Sequence, residues 1–379
     1  MHILIAPNAF KHSLDAECAA LAIRDGLGES RLNCICECFP IGDGGDGTAE
    51  LIIKKCGGIL VETDVRDPLG RRMRAGFGLI DAGKTAVIEM ANASGLRLLS
   101  PAELDPLRAL SFGTGEQIRA ALDKGVKKII IGMGGSATVD GGVGILSALG
   151  IRWLDEQGRD LSSLPEDLAQ LAAVDVSGLD PRVFDTEIVV LCDVDNGLTG
   201  VQGAAAVFGP QKGASPDAVL RLDTSLVRLA AVTLRQTGKD MAAVRSGGTA
   251  GGAAAGLYAF LDAKLVNGID TYLELTGFEK ALEVADLVIT GEGSIDEQTP
   301  QGKGPFGVAS KAKLKGLPVI GLAGKIPLTK EGPLQKYFDV LLSIGHEPTD
   351  LATALKCTRE NMVRTSREIG NLLAINHEL

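Results

Sequence analysis

Acidic and basic side chains gather in this sequence where short apolar runs give way to glycine. From Ala285 to Lys303, Glu292 stands between Gly291 and Gly293, Asp296 follows, and Lys303 precedes Gly304 and Pro305. Carboxylates in a glycine setting, with a lysine at a helix start, suit a metal-bound polyphosphate. Oxygen donors hold Mg²⁺, and a helix N-terminus favours an anion. The combination recurs along the chain. Lys11 follows the first apolar run, and Asp43 and Asp46 stand among four glycines in the stretch from Pro40 to Thr48. Gly134, Gly135, Ser136 and Asp140 lie in a glycine-rich stretch from Gly132 to Gly142, Asp193 and Asp195 follow Cys192, and Lys212 precedes Gly213.

Buried strands must carry these groups. Ile3–Ala6, Lys127–Ile131, Glu187–Leu191 and Leu287–Ile289 are apolar, β-branched runs of the kind that parallel sheets bury on both faces. Helices are expected after them: one capped by Ser13 or Asp15 and running to about Gly26, one from Thr114 to Lys124, and one opening at Pro305. A strand, a glycine-rich turn and a helix aim backbone N–H groups at an anion. In open α/β sheets such ligands sit beyond the carboxyl ends of the strands. The loop at Gly132–Gly142 has no suitably placed acid for a ribose some 20 positions on, so phosphate or carboxylate is preferred there over a dinucleotide.

Strand and helix alternate in the first sixty residues and in the final third, whereas short strands and turns fill Val61–Met90. The expected fold is α/β with two domains. Residues 1–66 plus 285–379 would form a discontinuous domain with a flavodoxin- or Rossmann-like parallel sheet. Residues 67–284 would form an inserted mixed-sheet α/β domain carrying the glycine-rich anion loop. Gly247–Leu261 reads as a tightly packed buried helix, and the last helix is expected from about Thr349 to Asn376. Gly78–Thr85 satisfies the Gly-x4-Gly-Lys-Thr pattern, but it follows Arg71–Arg74 and precedes a strand-like run, so it is expected to be a hairpin turn and not a phosphate loop.

The chain has 379 residues, 45% hydrophobic, with a formal net charge of -10, which argues against broad binding to nucleic acid or anionic membranes. No apolar run reaches the length of a membrane span, and the start does not resemble a secretory signal. Seven cysteines, three of them alternating as Cys34, Cys36 and Cys38, are expected to be free thiols in a reducing cytoplasm. His2, His346 and His377 fall outside the glycine loops, His12 stands beside Lys11, and no Gly-x-Ser-x-Gly elbow occurs. Phosphoryl transfer fits this inventory, because positioning and charge neutralisation do most of its catalysis.

From end to end the chain resembles the bacterial class I glycerate kinases. The matching blocks are Ala6-Pro7 with Phe10-Lys11 and Ser13-Leu14, Asp43-Gly-Gly with Gly47-Thr48, and Ile88-Glu89-Met90-Ala91 with Ala93-Ser94-Gly95-Leu96. They continue with Gly134-Gly-Ser-Ala-Thr138, Asp140-Gly-Gly142, Cys192-Asp193-Val194 with Asn196, and Val207–Ala214. The last are Leu287–Gly293, Ile295-Asp296, Gln298-Thr299 and Gly302-Lys303. The resemblance implies ATP- and Mg²⁺-dependent phosphorylation of D-glycerate on its 2-hydroxyl, in a site between two α/β domains. On that footing Asp193 is expected to orient or deprotonate the hydroxyl, Lys11 and Lys303 to offset charge, and Glu292 with Asp296 to hold Mg²⁺. Asp43, Gly134, Gly135, Ser136, Asp140, Lys212 and Thr299 complete the substrate- or phosphate-binding set. A homo-oligomer is compatible with this reading. Asn8, Ala9, His12, Val139, Gly197 and Ser294 depart from the family pattern, and Asp46 stands where it has Glu. These departures bear on substrate choice and rate, and leave a non-catalytic or differently specific binder of hydroxy acids or nucleotides as the alternative.

Overall fold

The computed structural model describes residues 1–296, 299, 302–328 and 332–375. In chain order its strands are β1 (His2–Ile5), β2 (Ile35–Cys38), β3 (Ile59–Arg66), β4 (Arg72–Ile80), β5 (Thr85–Glu89), β6 (Lys128–Gly132) and β7 (Arg152–Leu154). There follow β8 (Ala173–Asp175), β9 (Glu187–Cys192), β10 (Lys264–Asn267), β11 (Leu287–Ser294), β12 (Val319–Lys325) and β13 (Val340–Ser343). They form an α/β protein of two compact units. One comprises Met1–Asp43 and the chain from Ile269 onward, the other Gly44–Gly268. β3 falls in the second unit because it pairs antiparallel with β4 along its whole length, Ile59 to Arg66 against Leu79 to Arg72.

The first unit is built on an all-parallel sheet of order β13-β12-β11-β1-β2. Taken by position in the chain this is the 2-1-3-4-5 order of flavodoxin-like sheets, whose direction of winding reverses between β1 and β11. Ile3, Leu4, Ile5, Val288 and Ile289 are fully buried, as strands covered on both faces should be. Pro7 ends β1, yet the chain keeps alongside β11, with Ala6 N–H donating to Ile289 O (2.7 Å) and Asn8 N–H to Gly291 O (2.8 Å). Asn8 and Lys11 therefore leave the sheet next to Glu292, at the winding reversal. The helix Ala16–Gly28 starts at Asp15, whose carboxylate accepts from Cys18 N–H.

The second unit holds a mixed sheet of order β10-β9-β6-β5-β4-β3 and a small antiparallel pair, β7 with β8. β5, β6, β9 and β10 are parallel, so their carboxyl ends share one edge. Glu89 lies opposite Gly132, and Gly132 opposite Leu191, which brings the end of β5, the glycine loop and Asp193 to that edge. Gly78–Thr85 is the connection between the antiparallel β4 and β5, hence a hairpin. The expected helix over Gly247–Leu261 forms only from Ala253 to Leu261. Ala250, Gly251 and Gly252 take left-handed backbone angles (φ 54°, 68° and 90°), which no continuous right-handed helix accommodates. The terminal helical stretch is divided into Leu351–Lys356 and Thr358–Ile375, and Asn376 lies outside the described residues.

Candidate active site

In the first unit the carboxylates and lysines of the two neighbouring strand ends meet. Glu292 is buried in β11, and Thr299 Oγ1 lies 3.4 Å from its Oε1. Asp296 N–H donates to the same hydroxyl at 3.0 Å, and Lys303 Nζ lies 3.6 Å from Asp296 Oδ1. Burial pushes the Glu292 carboxyl up to about 7. Asp43 and Asp296 push the same way, and the positive charges of Lys303 and Lys11 oppose them. Lys303 is the N-cap residue of the helix Gly304–Leu314. The Asn8 amide donates to Asp43 Oδ2 at 2.7 Å, and Gly304 N–H points at the same oxygen from 3.4 Å. Asn8 is thus the partner of Asp43, a role its neutral amide performs without placing two negative charges side by side. Ser294 remains in β11 opposite Lys325, and Gln298 lies outside the described residues.

Oxygen donors of this kind suit Mg²⁺ more than a soft metal. Among the described residues no group of three or more Asp, Glu, His or Cys side chains could form a metal cage. The donors fit an ion that takes one or two carboxylates and completes its shell from phosphate and water. A buried carboxyl held near neutrality has charge to gain from such a cation.

In the second unit the glycine loop after β6 is pinned from several sides. Gly134 N–H donates to Gly44 O (3.0 Å), Leu96 N–H to Gly135 O (2.9 Å) and Ala137 N–H to Ser94 O (2.8 Å). A methyl group on Gly134 would lie 2.4 Å from Gly45 Cα, so only glycine allows this approach. Asp140 is fully buried. Its Oδ2 accepts from Ser111 N–H, Ser111 Oγ–H and Gly144 N–H, and its Oδ1 from Gly142 N–H. With both oxygens so engaged, Asp140 ties the loop to its surroundings. Lys212 is buried beneath the loop, donating to Ser136 Oγ (2.9 Å) and Thr138 O (2.7 Å).

Asp193 follows β9 directly. Of the two acids there, Asp195 is committed to a fork with Arg245, at 2.7 and 3.1 Å, and receives Ser246 Oγ–H at 3.3 Å. Sequence reasoning gave no role to Glu89, the last residue of β5. Its carboxylate accepts from Gly47 N–H and from Ala49 N–H (3.1 Å), filling the N-terminus of the helix Thr48–Lys55. Burial, followed by a shared hydrogen bond with Asp46, raises it to about 8. The rule that singled out Asp193 and Glu292, an acid where a buried strand ends, applies equally to Glu89.

Residues 3–374 match the model of the Glycerate kinase family. The chain is 45% identical to a glycerate kinase of Bacillus subtilis over 98% of its own length and 97% of that protein's. To a glycerate 2-kinase of Escherichia coli it is 42% identical, over 99% of this chain and 98% of the other. A crystal structure assigned to glycerate kinase 2 of Salmonella typhimurium LT2 superposes with a TM-score of 0.82 at 46% identity, each chain being covered in full. With relatives alike across their whole length and the same α/β fold, the chain belongs to the glycerate kinase family.

Proposed function

We infer that this protein transfers the terminal phosphoryl group of ATP to the 2-hydroxyl of D-glycerate, giving 2-phospho-D-glycerate and ADP. The observation that carries this is the end-to-end likeness to a glycerate 2-kinase. The chemistry of these residues is consistent with it. Phosphoryl transfer passes through a loose transition state in which the protein chiefly positions groups and offsets charge.

In the second unit, Asp193 orients the 2-hydroxyl and accepts its proton, while the N–H group of Gly135 and the hydroxyl of Ser136 hold the substrate carboxylate, on a loop that the bond from Gly134 N–H to Gly44 O keeps in place. In the first unit, Lys11 and Lys303 offset negative charge on the phosphates. Asp43 and Thr299 keep the loop residues around them in place through the Asn8, Gly304 and Asp296 hydrogen bonds. Glu292 and Asp296 would hold Mg²⁺, which when bound neutralises phosphate charge. All seven cysteines are free, which suits the reducing cytoplasm, where we place the protein. No helix among the described residues is long and apolar enough to cross a membrane.

Incubating the purified protein with ATP, Mg²⁺ and D-glycerate should release ADP and yield a product whose phosphorus couples to the C2 proton in NMR spectra. Coupling to the C3 protons instead would place the phosphate on the other hydroxyl. Absence of ADP release with any hydroxy acid tried would overturn the assignment.

A further inference from the structure

Lys212 stands out among the buried charged groups. Its turn, Pro210–Lys212, is closed by Gly213, whose φ of 95° is left-handed and where a methyl group would meet Leu104 O at 2.3 Å. The side chain is driven under the glycine loop, where its ammonium donates to Ser136 Oγ and Thr138 O. Neither acceptor carries a charge. The charged groups facing it are Asp140 in the loop and Asp193 after β9. Asp140 already accepts from Ser111, Gly142 and Gly144. The adjoining helix Ala204–Phe208 has no titratable side chain, and next to Leu104 the carboxylate of Asp105 accepts from Leu107 N–H. A buried ammonium without a close counterion is costly. Desolvation accordingly lowers Lys212 to about 7.

A serine hydroxyl has one proton to donate. Because Lys212 donates to Ser136 Oγ, that proton is left for another acceptor, and the described residues supply none. Thr138 Oγ1, also buried, has no hydrogen-bond partner among the described residues. Among the described residues, the hydroxyls of Ser136 and Thr138 on this loop therefore have a proton to give and no acceptor, and the lysine behind them bonds only to uncharged oxygens.

We propose that Lys212 is a positioning residue that aims the Ser136 hydroxyl at an anionic substrate group on the glycine loop and takes up a proton from solvent when that group binds. It does not itself touch the substrate. This rests on the reading of the loop as the holder of the glycerate carboxylate, and it adds that binding is linked to protonation. The amine gains the proton on binding and returns it to solvent on release, so charge on the loop is balanced in both states.

Calorimetry of D-glycerate binding to the full-length protein, in buffers of differing ionisation enthalpy, measures the linkage. At pH 8 uptake of about half a proton or more is expected. At pH 6 it should approach zero, since Lys212 is then already protonated. Lys212→Met should abolish the linkage at pH 8 and raise the KM for glycerate about tenfold or more, with a smaller change in kcat. Lys212→Arg, always charged, should recover affinity without uptake. A merely structural lysine would leave proton uptake unlinked to this side chain. Binding at pH 8 with the same heat in every buffer overturns the proposal, as does a Lys212→Met protein that keeps the linkage. Should ADP form while Ser136→Ala leaves glycerate affinity unchanged, it is the reading of the loop that fails.

Discussion

Neighbouring acids of this chain differ in what holds them. Asp195 and Asp193 are two residues apart and chemically identical, but the bidentate pair with Arg245 consumes the first. If Asp193 accepts the substrate proton, Asp193→Asn keeps its shape and loses its basicity. That variant should lower kcat roughly 100-fold or more with little change in KM for glycerate. Steady-state ADP release checks this, and a near-normal kcat would remove Asp193 from the role. Asn8 is the complementary case. The family pattern has an acid there, but in this chain the amide donates to Asp43, an arrangement a second carboxylate could make only by holding a proton.

At the scale of elements, the glycine loop after β6 depends on main chain meeting main chain. Gly134→Ala would drive a methyl group into Gly45, and the loop carrying the proposed carboxylate donors must then shift. A loss of about 1–3 kcal/mol is expected, together with loss of glycerate-dependent ADP release. Gly28→Ala is the matched control. It ends the helix Ala16–Gly28, nothing lies within 4 Å of the added methyl, and the change should be neutral or slightly stabilising. Thermal melts of the two variants separate the cases, and equal melting points would show that the close approach at Gly134 does not matter.

For the whole molecule, buried titratable groups give stability a specific pH dependence. Glu292 and Glu89 are raised from 4.5 to about 7 and about 8, so the native state keeps protons that the unfolded chain has lost. Their contribution to stability therefore falls as pH rises through that window. Lys212 acts in the opposite sense. Lowered from 10.5 to about 7, it costs stability in full below 7 and less as pH rises beyond. Glu292→Gln carries no titrating group. Between pH 5 and 8 the ligand-free wild type should lose more of its melting temperature than this variant, by roughly 2–4 °C per kcal/mol of difference. Parallel curves for the two proteins would rule out the buried, neutral carboxyl.

Much of this was legible in the order of residues. Apolar β-branched runs identified β1, β6, β9 and β11, because a strand buried on both faces needs a continuous apolar run and a loop at its end does not. The sequence by itself also carried the family, through ordered blocks from Ala6-Pro7 to Gly302-Lys303. What it did not carry was pairing across distance. Whether Asp140 is tied to Ser111, whether Asp195 is committed to Arg245, and whether Glu89 fills a helix N-terminus depend on residues 29 to 50 positions away. Local composition is silent about such partners. The break in the expected Gly247–Leu261 helix has the same origin, since turns with left-handed residues there prevail over local helix preference. The charges of Lys212 and Glu292 were written in the chain, and only burial in the folded molecule brought both near neutrality, because desolvation is a property of the surroundings and not of the residue.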